Sequence, residues 1–379
     1  MLADRANYGP EHDALRYSVQ RFFESEVAPN YTAWEKRGYV DREVWRKAGS
    51  LGLLCSTVPE EYGGPGGDFL TASVIIEEQM RQGYSAPGFY THSDIIAPYI
   101  LEFGSEALKR RWLPRMASGD AIAAIAMTEP GAGSDLKAIR THARRDGCDF
   151  IINGAKTFIT NGYLADLVIV VAKTAPEKGA HGVSLIVVET TTPGFRCGQI
   201  LEKMGQKAQD TVELFFDEVR VPASNLIGDE NQGFSYLMRQ LAQERLAVAV
   251  SAIGWAKGVL ADTVRYARDR QVFGNPLMTF QNTQFKLAEC RAEIMVGEAY
   301  VDRCITRRLE GRLTDAEAAA AKMWLSEMQS RVIDTCLQFF GGYGYMSEYP
   351  VARAYTDARA QRIYGGANEI MRMIIARSL

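Results

Sequence analysis

The chain has 379 residues, 47% of them apolar and 23% charged, with a formal charge of -3 and a pI near 6.0. These values suit a folded globular chain with one large core or several packed domains, and not a disordered, fibrous or membrane-embedded one. An acidic balance gives no global attraction to nucleic acid or anionic lipid. The six cysteines (Cys55, Cys148, Cys197, Cys290, Cys304 and Cys336) form no C-x-x-C pair, so neither a zinc ribbon nor a disulfide framework is suggested.

The first residues carry no apolar core and no Arg/Ser-rich, acid-poor stretch, and no run of about 20 apolar residues is read further on. A cytoplasmic placement without membrane insertion is therefore expected; a mature organellar chain whose targeting peptide was removed would read the same. Over residues 1–119 apolar residues recur at helical spacing, as in Leu70, Val74, Ile75 and Met80, with breaks at Pro59, Gly63 to Gly67 and Pro87-Gly88, which predicts a helical domain. Residues 120–233 change to short apolar runs at 150–152, 167–171, 183–188 and 212–216, separated by Gly, Pro, Asn and Asp; this predicts a compact β domain. Residues 234–379 return to long helical patterns at 237–273, 281–310, 315–340 and 352–378. Four amphipathic segments with short connections predict an antiparallel bundle, because each must bury one apolar face.

Within the β region, Met127-Thr128-Glu129-Pro130-Gly131-Ala132-Gly133-Ser134-Asp135 offers glycines that let backbone amides approach an anion, and hydroxyls as further donors. A plain turn explains it equally well by itself, and a dinucleotide fingerprint would require a helix to follow. The run 156–162, K-T-F-I-T-N-G, sets Phe158 and Thr160 two residues apart, so on a strand both face the same way and could meet a flat heteroaromatic ring. An edge strand closing in an Asn-Gly turn is the plainer alternative. The four histidines, His12, His92, His142 and His181, lie far apart, and no metal site is expected.

Taken in order, T-E-P-G-A-G-S-D, F-I-T-N-G, R-Q-V-F-G, Q-F-F-G-G-Y-G-Y and I-Y-G-G-A-N-E-I resemble the acyl-CoA dehydrogenase family across nearly the whole chain. The resemblance implies an α+β multi-domain fold: an N-terminal helical domain, a middle β-barrel and a C-terminal four-helix bundle. It also implies FAD, an acyl-CoA substrate, electron transfer flavoprotein as electron acceptor, and a homotetramer built as a dimer of dimers. By the same resemblance the Met127 backbone and the Thr128 and Thr160 side chains bond the flavin ring, Phe158 stacks beside it, and Ser134 lies near the pyrophosphate and substrate. Arg270, Phe273, Gln281, Gln338, Gly341 and Gly342 match positions that hold the adenosine-pyrophosphate portion of a partner's FAD, and Ala367, Asn368 and Glu369 match flavin-side positions. His181, Gln243, Arg245 and Gly366 match the substrate side.

Most family members carry their catalytic glutamate where Gly365 stands here, and glycine cannot remove a proton. In the long-chain and isovaleryl-CoA branches the base comes from a bundle helix just before an arginine, a pattern that Gln243-Glu244-Arg245 reproduces. The resemblance thus implies Glu244 as the base that removes the pro-R α-proton, with the backbone amide of Gly365 donating to the thioester oxygen. A Glu-Arg pair on a helix is ordinarily a surface ion pair; the missing carboxylate at Gly365 makes it functional here. The long-chain branch is the best overall match, although Tyr90 stands where that branch has smaller residues and Ala367 lacks the usual hydroxyl. The alternatives on the same fold are an acyl-CoA oxidase, a flavin monooxygenase and a non-catalytic scaffold.

Overall fold

The computed structural model describes Arg5 and residues 8–379; the opening residues on which the expectation of no targeting segment rests lie partly outside these. The first block contains helices α1 (Pro10–Phe22), α2 (Tyr31–Arg37), α3 (Arg42–Ser50), α4 (Phe69–Arg81), α5 (Ala97–Phe103) and α6 (Glu106–Ala117). Side chains close two of their starts: Asp68 accepts from the Thr71 N–H at 3.0 Å and Ser105 from the Leu108 N–H at 3.3 Å, satisfying donors that a helix leaves unpaired. A π-helical turn, Thr91–Ile96, leads into α5, and its wider spacing re-aims the side chains that follow.

The middle block is one eight-stranded sheet of β1 (Ala123–Ala126), β2 (His142–Asp146), β3 (Asp149–Thr160), β4 (Leu167–Lys173), β5 (Val183–Glu189), β6 (Phe195–Ile200), β7 (Thr211–Pro222) and β8 (Leu226–Ile227). Its order is β6-β7-β3-β2-β4-β5-β8, with β1 parallel to β4. The two halves join only at His142–Lys173 and wrap around one core. On β4, Val168, Val170 and Ala172 face that core with Phe150, Ile152 and Leu214. Leu167, Ile169 and Val171 face the other way and pack with Tyr99, Trp112 and Leu113 of the helical block, as the two-residue period of a strand requires. The expected β domain is thus present as a sheet whose pairing runs from β6 to β8 without closing between them, and β4 is buried on both faces.

The last block is built on α7 (Gly233–Asp269), α8 (Gln281–Leu309), α9 (Asp315–Phe339), α10 (Pro350–Ala358) and α11 (Asn368–Ala376), with a small ribbon of β9 (Gln271–Val272) and β10 (Asn275–Pro276) after α7. Ile253, Ile294, Val301, Leu325, Met328 and Ile333 are fully buried between them, each contributing about 1.5–3 kcal/mol relative to exposure. α4 of the first block lies directly on α7, where a Cβ on Gly254 would fall 2.4 Å from the Glu77 carbonyl and one on Gly258 2.0 Å from that of Arg81. The first block thus packs on the bundle through α4 and α7 and on the sheet through α5 and α6.

Three expectations need correction. α7 ends at Asp269 and not near Phe273, because Arg270 turns extended and begins the ribbon. The segment 352–378 is not one helix: α10 ends at Ala358 and tightens into a 3-10 turn, Arg359–Arg362, and Gly365 and Gly366, with left-handed φ angles of +62° and +89°, carry the loop that leads to α11. Finally, α7 does contain a stretch long and apolar enough to cross a membrane, yet most of that stretch is buried against other helices, so its apolarity serves the core.

Candidate active site

Glu244 sits on α7 and is 6% exposed. Tyr99, from α5, donates its hydroxyl to Glu244 Oε1 at 2.6 Å. Burial pushes the Glu244 carboxyl up to about 7, against the opposing effects of the Tyr99 hydrogen bond and the Arg245 charge. Tyr99 is itself held well above its ordinary value by burial and by the adjacent carboxylate, so it is the donor of the pair. A carboxyl poised near neutrality is suited to accept a proton at working pH.

The Gly365 loop lies across from this helix. A Cβ on Gly365 would stand 3.6 Å from Val248 Cγ2, and Val248 is one helical turn beyond Glu244 on the same face of α7. Among the described residues, the Gly365 N–H donates to no protein acceptor. One face of α7 therefore carries a buried carboxyl beside a loop with an uncommitted backbone donor. The hydroxyl of Tyr364 meets that of Tyr90 at 3.3 Å, placing Tyr90 against the same loop.

Of the side chains flanking Glu244, Gln243 is engaged within the protein, whereas the buried Arg245 Nε has no hydrogen-bond partner among the described residues. Gln243 donates to the Asp94 carbonyl at 2.9 Å and accepts from Arg308 at 2.5 and 3.0 Å, and it borders a cavity with Arg239, Gln240 and Leu313. Arg245 is buried, with Asp315 at 3.6 Å. Asn368 is also engaged within the protein. Its side chain turns into the bundle, donating to Ser326 Oγ at 3.1 Å, while Glu369 is exposed beside Arg372 at 3.6 Å. Ala367 is the residue before α11 and His181 lies exposed in the turn Pro176–Gly182.

On the β side, the 127–135 segment is fastened to β3 by an ion pair that the sequence did not reveal. Lys156, fully buried, donates to Glu129 Oε1 at 2.9 Å and to the Met127 carbonyl at 3.0 Å, and the Thr157 N–H donates to the Thr128 carbonyl at 3.0 Å. Glu129 also accepts from the backbone N–H groups of Arg140 and Thr141. Burial pushes its carboxyl up, but Lys156 and these donors outweigh burial and hold it below the usual range; burial lowers Lys156 to about 8.

A bulge between Lys156 and Ile159 puts Phe158 in the left-handed region at φ +58°. Phe158 is 67% exposed while Ile159 is buried. Phe158 and the partly accessible Thr160 therefore share the open face, near Met127 and Thr128. Ser134 is exposed on the adjoining turn.

The second set of expected cofactor residues gathers elsewhere. Arg270, Gln338, Gly341 and Gly342 line a cavity of about 470 Å³ with Tyr266, Phe340 and Tyr343. Phe273, 91% exposed, and Gln281, also exposed, do not line it. Arg270 is 26 positions beyond Glu244 along one helix and its cap, about 39 Å at 1.5 Å per residue. The residues fit FAD in two parts. An exposed aromatic ring with accessible hydroxyls on Thr128 and Thr160 suits a flat polar ring system, and a guanidinium, an amide and side-chain-free glycines around a cavity suit a phosphate-bearing nucleotide.

Three family models match the chain in order: acyl-CoA dehydrogenase N-terminal domain over residues 9–120, middle domain over 124–219 and C-terminal domain over 231–379. The long-chain specific acyl-CoA dehydrogenase of Sus scrofa mitochondria is 50% identical over 99% of this chain and 88% of its own length. Among solved structures, an acyl-CoA dehydrogenase from Geobacillus kaustophilus is 48% identical with a TM-score of 0.95, covering 98% of each chain. A glutaryl-CoA dehydrogenase from Mycobacterium smegmatis in complex with FADH2 is 30% identical with a TM-score of 0.92, covering 100% of this chain and 96% of its own.

Proposed function

Because this chain belongs to the acyl-CoA dehydrogenase family, we propose that Glu244 is the base of an FAD-dependent α,β-dehydrogenation converting a fatty acyl-CoA to a trans-2-enoyl-CoA. The protein is a flavin-dependent oxidoreductase of fatty acid oxidation. The observation that carries Glu244 is its burial beside the Gly365 loop, with a carboxyl raised to about 7.

Glu244 takes the α-proton onto a carboxylate oxygen. Tyr99 holds the other end of the arrangement fixed by its 2.6 Å hydrogen bond, so the carboxylate is oriented before substrate arrives. The thioester oxygen gains negative charge as the proton leaves, and the unpartnered Gly365 N–H stabilises it there. FAD, when bound, supplies the acceptor for the β-hydrogen, which leaves as hydride. Met127, Thr128, Phe158 and Thr160 would hold its ring system; Arg270, Gln338, Gly341 and Gly342 would hold its nucleotide end. Glycine at 365 removes the carboxylate from the loop while keeping the amide, so base and oxyanion donor are divided between α7 and the loop.

Within one protomer about 39 Å of helix separates Arg270 from Glu244. This supports an assembly in which a second copy contributes the Arg270 cavity, and we assign a homotetramer. Electron transfer flavoprotein is the proposed acceptor and the cytoplasm the proposed location; subcellular fractionation with a specific antibody tests the latter. The direct test of the base is α-proton exchange of a bound acyl-CoA in D2O without an electron acceptor. Wild type exchanges the α-position, and Glu244→Gln does not. Equal exchange by both removes Glu244 from the role.

A further inference from the structure

Lys322 is an unusual residue for its place. It lies on the core face of α9 among Ala318, Ala319, Ala321 and Leu325, and is 0% exposed. Burying an ammonium in apolar surroundings is costly unless its protons find strong acceptors. Its acceptors are the Gly366 carbonyl at 2.7 Å and Asn368 Oδ1 at 2.9 Å. Among the described residues no carboxylate lies within ion-pair distance of it. The charge is therefore matched by two oriented dipoles, one on the loop that carries Gly365 and one on the first residue of α11.

The Tyr364 side chain tethers the loop to Tyr90, but the backbone that carries Gly365 has little else to fix it. Before it, the N–H groups of Ile363 and Tyr364 close onto the Ala360 carbonyl; after it, those of Ile370 and Met371 close onto that of Ala367. Between them Gly365 and Gly366 are both left-handed, in a region glycine enters and leaves with little cost. The Gly366 carbonyl is the backbone group between these two anchors that is pinned to the bundle. Asn368 completes the clasp: it accepts from Lys322 and donates to Ser326 Oγ at 3.1 Å, one turn further along α9. Burial, helped by the nearby Arg245 charge, lowers Lys322 to about 8.

We propose that Lys322 is a positioning residue for the reaction: by holding the Gly366 carbonyl and Asn368, it fixes the direction in which the Gly365 N–H points toward the thioester oxygen. The proposal rests on the reading of Gly365 as the oxyanion donor. Lys322→Met keeps the chain length and apolarity of the site but leaves Gly366 free to turn.

The test uses FAD-loaded enzyme and a non-reacting enoyl-CoA product labelled with ¹³C at its carbonyl, followed by infrared difference spectroscopy, alongside kcat, KM and FAD content. Wild type shifts the bound carbonyl band to lower frequency. In Lys322→Met the band moves back toward its free position and kcat falls on the order of 10- to 100-fold, the scale of a small misplacement of a catalytic group, with KM and FAD content changed less than about threefold. A band as strongly shifted as in wild type overturns the proposal and leaves the Gly365 reading intact, whether kcat falls or not. No shift in wild type removes the Gly365 reading and the proposal with it. Should Lys322→Met not yield folded holoenzyme, Lys322→Gln retains a donor for Gly366; an intermediate band and an intermediate kcat support the proposal, and a fully shifted band with lowered kcat contradicts it.

Discussion

Tyr99 donates its hydroxyl to Glu244 Oε1 at 2.6 Å across 145 residues of sequence. This bond stabilises the ionised carboxylate, whereas burial, the larger effect, opposes ionisation and leaves Glu244 near 7. The base thus titrates where an enzyme working near neutrality gains most from it.

The free-enzyme pH profile follows from that balance. Glu244 must be ionised to accept a proton, so kcat/KM rises with pH through a midpoint near 7 and is low below it. Tyr99→Phe removes a donor to the charged form. A hydrogen bond to a charged group contributes roughly 1.5–3 kcal/mol, and one pKa unit is about 1.4 kcal/mol, so the midpoint should move up by about one to two units. A midpoint that stays in place or moves down contradicts the assignment.

Lys156 and Glu129 form a buried pair joining the 127–135 turn to β3. Removing one partner strands the other, which costs about 3–5 kcal/mol. Lys156→Met should lower Tm and reduce the FAD retained after gel filtration, and Lys156→Met with Glu129→Gln should recover part of the stability. Thermal unfolding and the flavin-to-protein absorbance ratio check this; a single variant as stable as wild type would show the pair to be dispensable.

The Arg270 cavity is assigned to the nucleotide end of a cofactor shared between copies. Light scattering should give about 168 kDa, four times the 42.1 kDa chain. Arg270→Ala should release FAD on dilution while the assembly mass is kept. Full FAD retention by a monomeric wild-type protein would rule out sharing.

Much of the fold is legible in the sequence because burial imposes a period. The runs of β4 and β5 and the helical stripes of α7, α8 and α9 announce their elements directly. The breaks are harder to read. Nothing local distinguishes the left-handed Phe158 and its bulge from a regular strand, and a 352–378 helix looks continuous until Gly365 and Gly366 are seen with positive φ. At the site, Glu244 was legible only through resemblance, as one glutamate before an arginine.

Its partner Tyr99 comes from a distant helix, and contacts of that separation leave no pattern in a single sequence. Lys156 and Lys322 offered a fainter signal: each is a lysine within an otherwise buried face, at a spacing where an apolar residue is expected. Conversely, Gln243 and Asn368 have the side-chain chemistry of ligand contacts but spend it on Arg308, Asp94, Ser326 and Lys322. Sequence lists donors and acceptors without saying which are already satisfied.

The central claim is that Glu244 drives dehydrogenation of an acyl-CoA. Anaerobic titration of the FAD-loaded enzyme with acyl-CoAs of graded length, following flavin absorbance near ~450 nm in wild type and Glu244→Gln, tests it most directly. Wild type should bleach and Glu244→Gln essentially not, with FAD still bound, a loss of about 10²- to 10⁴-fold in rate. Bleaching of both at similar rates, or of neither by any acyl-CoA, would contradict it.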